Sequence, residues 1–241
     1  MARFFADIDN INEGLIGLTD EDMRHIRSLR LRPGETFTVC DGCCTDHTCA
    51  MSSEAGVAKI LSSAPTRGEP VGVYRVYAAF SKSDRMEYVI QKTVELGVSE
   101  IILFPSRRCV VSYDGTGLAK KLDRWRKIAL EAAKQCGRGI IPTVRMAGNY
   151  ETAIDEAAES KIALYCYELE ESTRLREVLE HMDMAETVSI VTGPEGGFEE
   201  KEAGYALSRG MKTITLGERI LRCETAPVAV LAAVMYHFGN I

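Results

Sequence analysis

Two loops in the last third of the chain carry the residue types best suited to holding a ligand. Gly193-Pro-Glu-Gly-Gly-Phe198 follows the apolar run 188–192, and Gly217-Glu-Arg-Ile-Leu-Arg-Cys-Glu-Thr225 follows the run 213–216. Glycine removes the side chain where a backbone must approach a ligand closely or adopt a positive φ. Parallel α/β sheets bind ligands beyond the carboxyl ends of their strands. We therefore predict a ligand site at these loops, although tight structural turns would use the same glycines.

The loop sequences exclude two common nucleotide-binding fingerprints. Gly193, Gly196 and Gly197 do not form the GxGxxG motif of dinucleotide sites, and no Gly-Lys-Ser/Thr triplet follows as in an ATP phosphate loop. Arg222 and Glu224 are polar residues in an otherwise apolar region. They either act on a ligand or form an ion pair that ties loop to loop.

Histidine and cysteine patterns favour neither hydrolysis nor a metal centre. No HExxH motif is formed by the four histidines, which are His25, His47, His181 and His237. The segment 40–49 holds four thiols and an imidazole, which is enough for zinc, but no second CxxC pair exists and Asp41-Gly42 is equally typical of a turn. Because no basic-then-apolar leader is present, we expect free thiols, no metal and a cytoplasmic, unprocessed protein.

The net charge of −6 hides a basic middle of the chain. Residues 71–145 hold 14 Lys and Arg against 7 Asp and Glu, whereas residues 1–70 hold 7 against 11 and residues 146–241 hold 8 against 17. A basic region between acidic flanks is typical of a local phosphate-binding surface, although solvated helix faces would give the same counts.

The order of periodic segments predicts the elements that position the two loops. Short strand-like runs in residues 1–65 indicate a small β domain, and the breaker-rich segment 64–70 indicates a linker. Strands and helices then alternate, which predicts an α/β domain with a mostly parallel sheet. The predicted strands are 37–40, 56–61, 73–80, 101–104, 162–167, 188–192 and 213–216, and the predicted helices are 84–96, 118–136, 149–159, 199–209 and 226–238. Since no apolar segment approaches about 20 residues, we expect no membrane span.

The same two loops resemble the family of small-subunit ribosomal RNA uridine N3-methyltransferases, of the SPOUT class. GPEGGF and LGERILRCETA, in this order near the C-terminus, are the most specific match. The resemblance runs through most of the chain. Its further segments are Arg3-Phe4, Lys82-Ser-Asp-Arg85, Ile90-Gln-Lys-Thr-Val-Glu-Leu-Gly97, Ser106-Arg-Arg108, Arg124-Trp125, Glu131-Ala-Ala-Lys-Gln-Cys-Gly-Arg138 and Ile141-Pro142.

This resemblance implies an α/β fold with a SPOUT-type parallel sheet and a C-terminal trefoil knot in residues 72–241. It implies a small PUA-like β-barrel domain that binds RNA in residues 1–68. It also implies a homodimer, ribosomal RNA or the small subunit as partner, and S-adenosylmethionine as cofactor, bound against the backbone of three loops. The implied cofactor contacts are Tyr165, Thr192, Gly193, Glu195, Gly196, Leu216, Gly217, Ile220 and Leu221.

Two positions depart from the family pattern. Tyr165-Cys-Tyr-Glu168 stands where the family more often has a His-Glu pair, and Cys223 replaces a usual Thr. Because the implied cofactor contacts are largely made by backbone, we expect neither change to abolish binding.

Charged side chains would supply the chemistry and the RNA contacts. A uridine methylated at N3 must be unpaired and must lose its N3 proton. We hypothesise that Arg222 orients the uracil or stabilises negative charge on its carbonyl oxygens, and that Glu224 is a base or a positioning group. Arginine forks bind phosphate oxygens in pairs. The expected phosphate contacts are Arg3, Arg85, Arg107, Arg108 and Arg138.

Two other functions stay open at this point. An RNA-binding ribosome-assembly factor with a degenerate pocket would bind RNA without methyl transfer, and the intact glycine loop argues against it. A different nucleotide-using enzyme would bind ATP or NAD, and the missing fingerprints argue against that class.

Overall fold

The computed structural model describes residues 2–32, 34–113, 115–180, 182 and 187–241, so that His181 lies outside the described residues. The chain divides into two compact units. Unit 1 comprises Met1–Glu69 and Ala133–Ile141, and unit 2 comprises Pro70–Ala132 and Pro142–Ile241. The boundary predicted from the sequence, at residues 68–72, agrees with the end of the first part of unit 1. The prediction did not include the segment 133–141, which also belongs to unit 1.

Unit 1 is built on a six-stranded mixed sheet. Its strands are β1 (Arg3–Phe5), β2 (Ile11–Asn12), β3 (Leu15–Gly17), β4 (Thr36–Cys40), β5 (Thr45–Met51) and β6 (Val57–Pro65). They lie in the order β1-β4-β5-β6-β3-β2, with β1 parallel to β4 and the other neighbours antiparallel. Phe4, Ile16 and Phe37 are fully buried in its core.

Helix α1 (Asp20–Ser28) begins at a capping box, in which Thr19 and Asp22 each accept a hydrogen bond from the other's backbone N–H. A short 3-10 helix spans Ile8–Asn10.

The cysteine-rich segment forms a turn between β4 and β5. Cys40 and Cys49 are buried within these strands, whereas Cys43 is exposed in the turn. Gly42 and Cys44 adopt left-handed backbone conformations with φ of 72° and 69°, so the turn interpretation is confirmed. In the described part of the chain, no group of three or more His, Cys, Asp and Glu side chains could hold a metal ion.

Unit 2 contains a second six-stranded sheet, and all of its pairings are parallel. Its strands are β7 (Val73–Ala79), β8 (Glu100–Phe104), β9 (Thr143–Met146), β10 (Ile162–Cys166), β11 (Thr187–Thr192) and β12 (Lys212–Ile214), in the order β12-β10-β11-β7-β8-β9. The predicted α/β fold with a parallel sheet is thereby confirmed. Because β10, β11 and β12 are parallel neighbours, the loops that follow them lie next to one another at the carboxyl ends of the strands.

Helices lie between these strands and after the last of them. They are α2 (Ser83–Glu95), α3 (Gly115–Cys136), α4 (Tyr150–Ala158), α5 (Leu175–Glu180), α6 (Glu200–Ser208) and α7 (Thr225–His237). Gly97, with φ of 99°, ends α2 as the sequence predicts. None of the helices in the described ranges is both long enough and apolar enough to cross a membrane.

Candidate functional site

A cavity of about 460 Å³ lies beyond the carboxyl ends of β10, β11 and β12. Three loop segments line it, namely residues 166–168, 192–197 and 214–223 except Glu218, together with Arg85 of α2 and Ala226 of α7. Small-molecule sites commonly have volumes of about 300–1,000 Å³. The cavity is therefore large enough for a small ligand, and it lies where the loop sequences predict one.

Packing explains why the loop after β11 needs its glycines. A Cβ at Gly196 would come within 2.9 Å of the Arg108 Cβ and 3.0 Å of the Arg108 carbonyl oxygen. Gly197 has a φ of 69°, and a Cβ there would overlap the Glu168 carboxylate. The glycines thus serve a tight turn, and the same backbone forms a wall of the cavity.

Phe198 anchors this loop in the core of unit 2. Its ring stacks on Tyr165 with centroids 4.5 Å apart, and its backbone N–H donates to Glu168 Oε1 at 3.0 Å. Tyr165 is fully buried, its hydroxyl lies 3.0 Å from that of Tyr150, and burial raises the pKa of Tyr165. The Tyr165 side chain therefore supports Phe198 in the core, and Tyr165 is the one expected cofactor contact that is not among the residues lining the cavity. The following residues, 166–168, line the cavity in its place.

Arg85 contacts both the loop after β11 and the loop after β12. Its Nη1 lies 2.9 Å from Glu195 Oε1 in the glycine loop, and its Nε lies 3.7 Å from Glu224 Oε2 in the second loop. Nη1 also donates to Cys223 Sγ at 3.7 Å, and that thiol donates to Glu224 Oε2 at 3.2 Å. Burial, together with the contact to Glu224, raises the pKa of the Cys223 thiol to about 11. Arg85, expected to contact phosphate, thus has two carboxylate partners at the cavity.

The two expected catalytic residues lie close together but differ in exposure. The Arg222 side chain is 80% exposed and its Nη1 lies 3.9 Å from Glu224 Oε1, whereas the Glu224 side chain is 17% exposed. Arg222 also lines the cavity. Its guanidinium is accessible to a second molecule, while Glu224 is held within the loop.

Arg107 and Arg108 are exposed on the loop that follows β8. The buried Glu202 carboxylate of α6 fixes this loop, because its Oε1 accepts from Ser106 Oγ and from the Arg107 backbone N–H, both at 3.0 Å. Arg108 Nη1 donates to the Gly196 carbonyl at 3.3 Å. Sequence reasoning missed Glu202, although a Glu three residues into a helix is a capping signal.

Arg3 and Arg138 have structural roles within unit 1. Arg3 pairs with Asp46 at 2.7 Å and donates to the Arg138 carbonyl at 2.7 Å. Arg138 is buried and pairs with Glu69 at 2.8 Å. Because carboxylates hold both guanidiniums, we no longer expect either of them to contact phosphate.

Comparison with known proteins identifies the family. Residues 68–235 match the family model described as an RNA methyltransferase domain. Ribosomal RNA small subunit methyltransferase E of Mesomycoplasma hyopneumoniae (strain 232) is 32% identical over 231 residues, which cover 96% of this chain and 97% of that protein. The protein of the same name from Bacillus subtilis (strain 168) is 30% identical over 250 residues, which cover 98% and 96%.

A solved structure agrees over nearly the whole chain. The crystal structure of a ribosomal RNA small subunit methyltransferase E from Neisseria gonorrhoeae bound to S-adenosyl methionine has a TM-score of 0.85 at 34% identity and covers 98% of this chain and 97% of that one. With a family model that spans more than half of its residues and relatives that match end to end, this chain belongs to the RNA methyltransferase family.

Proposed function

We propose that this protein transfers a methyl group from S-adenosylmethionine to N3 of a uridine in small-subunit ribosomal RNA. The observation that carries the proposal is the cavity beyond β10, β11 and β12. Of the nine expected cofactor residues, eight line it: Thr192, Gly193, Glu195, Gly196, Leu216, Gly217, Ile220 and Leu221. The names of the relatives and the cofactor in the Neisseria structure support methyl transfer from S-adenosylmethionine to small-subunit ribosomal RNA. The choice of uridine N3 rests on the resemblance of the loop sequences.

The lining of the cavity suits S-adenosylmethionine. Glycine backbone offers N–H and C=O groups to an adenine edge, and Leu216, Ile220 and Leu221 offer apolar surface to its faces. Carboxylates of Glu168 and Glu195 suit the positive charges of the sulfonium and the α-amino group. When bound, the cofactor supplies an electrophilic methyl group.

Arg222 is our candidate for the residue that acts on the base. Its exposed guanidinium can reach a uracil at the cavity mouth and stabilise the negative charge that its carbonyl oxygens gain when N3 loses its proton. Glu224 already accepts from Cys223 and faces Arg85. Of its two expected roles, the geometry therefore favours positioning over proton abstraction.

Three further features belong to this proposal. A trefoil knot in unit 2 is supported by the path after β12, because the chain leaves an edge strand and α7 packs against β7 and β11. A PUA-like fold for unit 1 is supported by its own hydrophobic core and its mixed six-stranded sheet. A homodimer is supported by α7, an apolar helix that leaves Ala229 and Tyr236 exposed, Tyr236 at 77%. A ribosomal substrate also agrees with the predicted cytoplasmic location.

Methyl transfer to small ribosomal subunits lacking uridine methylation tests the reaction. We expect label from S-adenosylmethionine in N3-methyluridine after digestion to nucleosides and chromatography. RNA binding without label, by a folded protein, would favour the ribosome-assembly factor instead. Label in another nucleoside would retain the enzyme class and reject the N3 assignment.

Variants at the cavity mouth test the assigned roles. We expect Arg222→Ala to lower the rate of methyl transfer about 100-fold or more, as expected for loss of a charge-stabilising group. Glu224→Ala should lower the rate of methyl transfer by a smaller factor, because the variant positions the cofactor and the base less well. Wild-type rates for both variants would remove these residues from the mechanism.

A further inference from the structure

Four arginines at the end of α1 form an exposed basic surface that the reaction does not use. Arg24 and Arg27 lie three residues apart on the helix, and Arg30 and Arg32 follow it in the chain; all four side chains are exposed. Residues three apart in a helix share a face. We call Arg24, Arg27, Arg30 and Arg32 the α1 arginine surface.

These arginines differ from three of the five that the sequence assigned to phosphate. Arg3, Arg85 and Arg138 each pair with a carboxylate. Within the described residues, no ion pair includes a member of the α1 arginine surface. Guanidiniums without carboxylate partners can meet phosphate oxygens without first breaking an ion pair.

Folding accounts for only part of this cluster. Arg27 lies in the last turn of α1, where a positive charge suits the helix dipole. Arg30 and Arg32 lie beyond the helix, and Arg30 has a φ of 53°, a left-handed conformation in which glycine is normally favoured. Glycine is the usual residue at this position, so ending the helix does not by itself account for Arg30.

We propose that the α1 arginine surface binds the phosphate backbone of the RNA substrate. This inference rests on the proposed function for the identity of the RNA and deepens it by naming the residues of unit 1 that bind. Charge complementarity carries it: residues 24–32 hold four arginines and no Asp or Glu, and none of the four has a carboxylate partner among the described residues. An inward face containing Asp22 and Ile26, both buried, fixes α1 to its unit so that the arginines face solvent.

The test compares two variants with the same change of net charge. One is Arg24→Gln/Arg27→Gln/Arg30→Gly. The control is Arg126→Gln/Arg176→Gln/Arg209→Gln, which removes three arginines whose ion pairs lie on the surface of unit 2. The dissociation constant for a transcript of small-subunit ribosomal RNA is measured over a range of salt concentrations, without S-adenosylmethionine.

We expect the first variant to bind RNA about tenfold or more weakly and to lower the salt-dependence slope by about two, as expected for three lost phosphate contacts. The control should retain the wild-type affinity and slope. Unchanged binding by the first variant, or an equal loss in the control, would overturn the inference.

A single substitution separates loss of RNA binding from loss of folding. Arg30→Gly places glycine at a left-handed position, so its melting temperature should not fall below that of the wild type. It should still lower the salt-dependence slope by nearly one, and an unchanged slope would contradict the inference. Because binding is measured without methyl transfer, a wild-type protein that binds RNA but transfers no methyl group would reject the proposed function alone.

Discussion

Arg85 is the residue on which the two cavity loops converge. Its partners come from separate segments, Glu195 at 2.9 Å and Glu224 at 3.7 Å, and its own helix packs against α7. Glu195 also has a buried oxygen, Oε2, for which the described residues provide no hydrogen-bond partner. Removal of Arg85 would therefore leave a largely buried carboxylate without its cation, which is more costly than losing an exposed ion pair.

Replacing Arg85 should weaken cofactor binding. We expect Arg85→Ala to cost about 1–2 kcal/mol of S-adenosylmethionine binding, or about a 5- to 30-fold higher dissociation constant, by titration calorimetry. Arg85→Lys should recover only part of this loss, because one ammonium cannot replace a fork that reaches two carboxylates. Arg124→Ala is the control, since its pair with Glu87 is 67% exposed on the arginine side. Equal effects of Arg85→Ala and Arg124→Ala would refute the bridging role.

At the level of single residues, the sequence located the cavity loops but not the direction of every side chain. The glycine spacing and the polar pair Arg222 and Glu224 were sufficient to find them. Arg3 looked available for phosphate because its partner, Asp46, lies 43 residues away in the sequence. The predicted strand 162–167 and the observed β10 both contain Tyr165, but the sequence did not show that its side chain points into the core.

At the scale of the elements, the glycines of the loop after β11 allow a specific prediction about stability. Gly197→Ala should destabilise the protein by about 2 kcal/mol or more, because alanine is disfavoured at φ of 69° and its methyl group would overlap Glu168. Gly204→Ala is the matched control. Gly204 lies within α6, where an added methyl group would meet open space, so the change should stabilise by about 0.5–1 kcal/mol. Urea unfolding of both variants measures this, and similar stabilities would contradict the packing argument.

The turn before α5 depends on a carboxylate. Glu170 accepts from the Ser172 hydroxyl at 2.6 Å, from the Thr213 hydroxyl of β12 and from the backbone N–H groups of Thr173 and Ser172, and these hydrogen bonds lower the pKa of Glu170 to about 2. A lowered pKa means that the stabilisation is present above the ordinary value near 4.5 and is lost as pH falls through about 2.

Glu170→Gln should therefore lower stability at pH 7 and reduce the loss of stability between pH 5 and pH 2. Urea unfolding at several pH values measures both effects. Glu171→Gln changes a neighbouring exposed residue and should keep the wild-type pH profile. A Glu170→Gln profile parallel to that of the wild type would show that this carboxylate is not linked to folding.

Element prediction succeeded where hydrophobic periodicity was long and failed where it was short. The predicted helix 84–96 corresponds to α2 and the predicted strand 188–192 to β11, each within two residues. Strand β5 was missed because its polar and cysteine residues suggest a turn or a metal site, although His47 and Cys49 alternate inward as in any half-buried strand. Helix α1 was missed because it is short, yet the spacing of Thr19 and Asp22 is a capping signal.

At the scale of the whole molecule, α7 is the surface that we propose for self-association. Its exposed face contains Ala229 and Tyr236 although the helix is apolar on all sides. If the proposed dimer forms through α7, the wild type should sediment as a dimer and Tyr236→Glu as a monomer in sedimentation velocity, because a charge buried at an apolar interface lacks a partner. Leu207→Glu, which adds the same charge at an exposed apolar position of α6, should leave the dimer intact. A Tyr236→Glu variant that sediments as the wild type would place the interface elsewhere.

The sequence predicted the class of the large sheet but not its order. Alternating strands and helices were enough for a parallel sheet. The order β12-β10-β11-β7-β8-β9, and the return of segment 133–141 to unit 1, depend on contacts between distant parts of the chain. Local periodicity contains no information about such pairings.

The parallel order of the large sheet also has a consequence for biosynthesis. Strand β7 is among the first parts of unit 2 to leave the ribosome, yet β11, one of its two neighbours, is made much later, and the loop after β12 later still. The cavity can form only when nearly the whole chain has been translated, since its three loops follow β10, β11 and β12. Nascent chains stalled before β12 should therefore fail to retain S-adenosylmethionine, and cofactor capture would mark the end of synthesis.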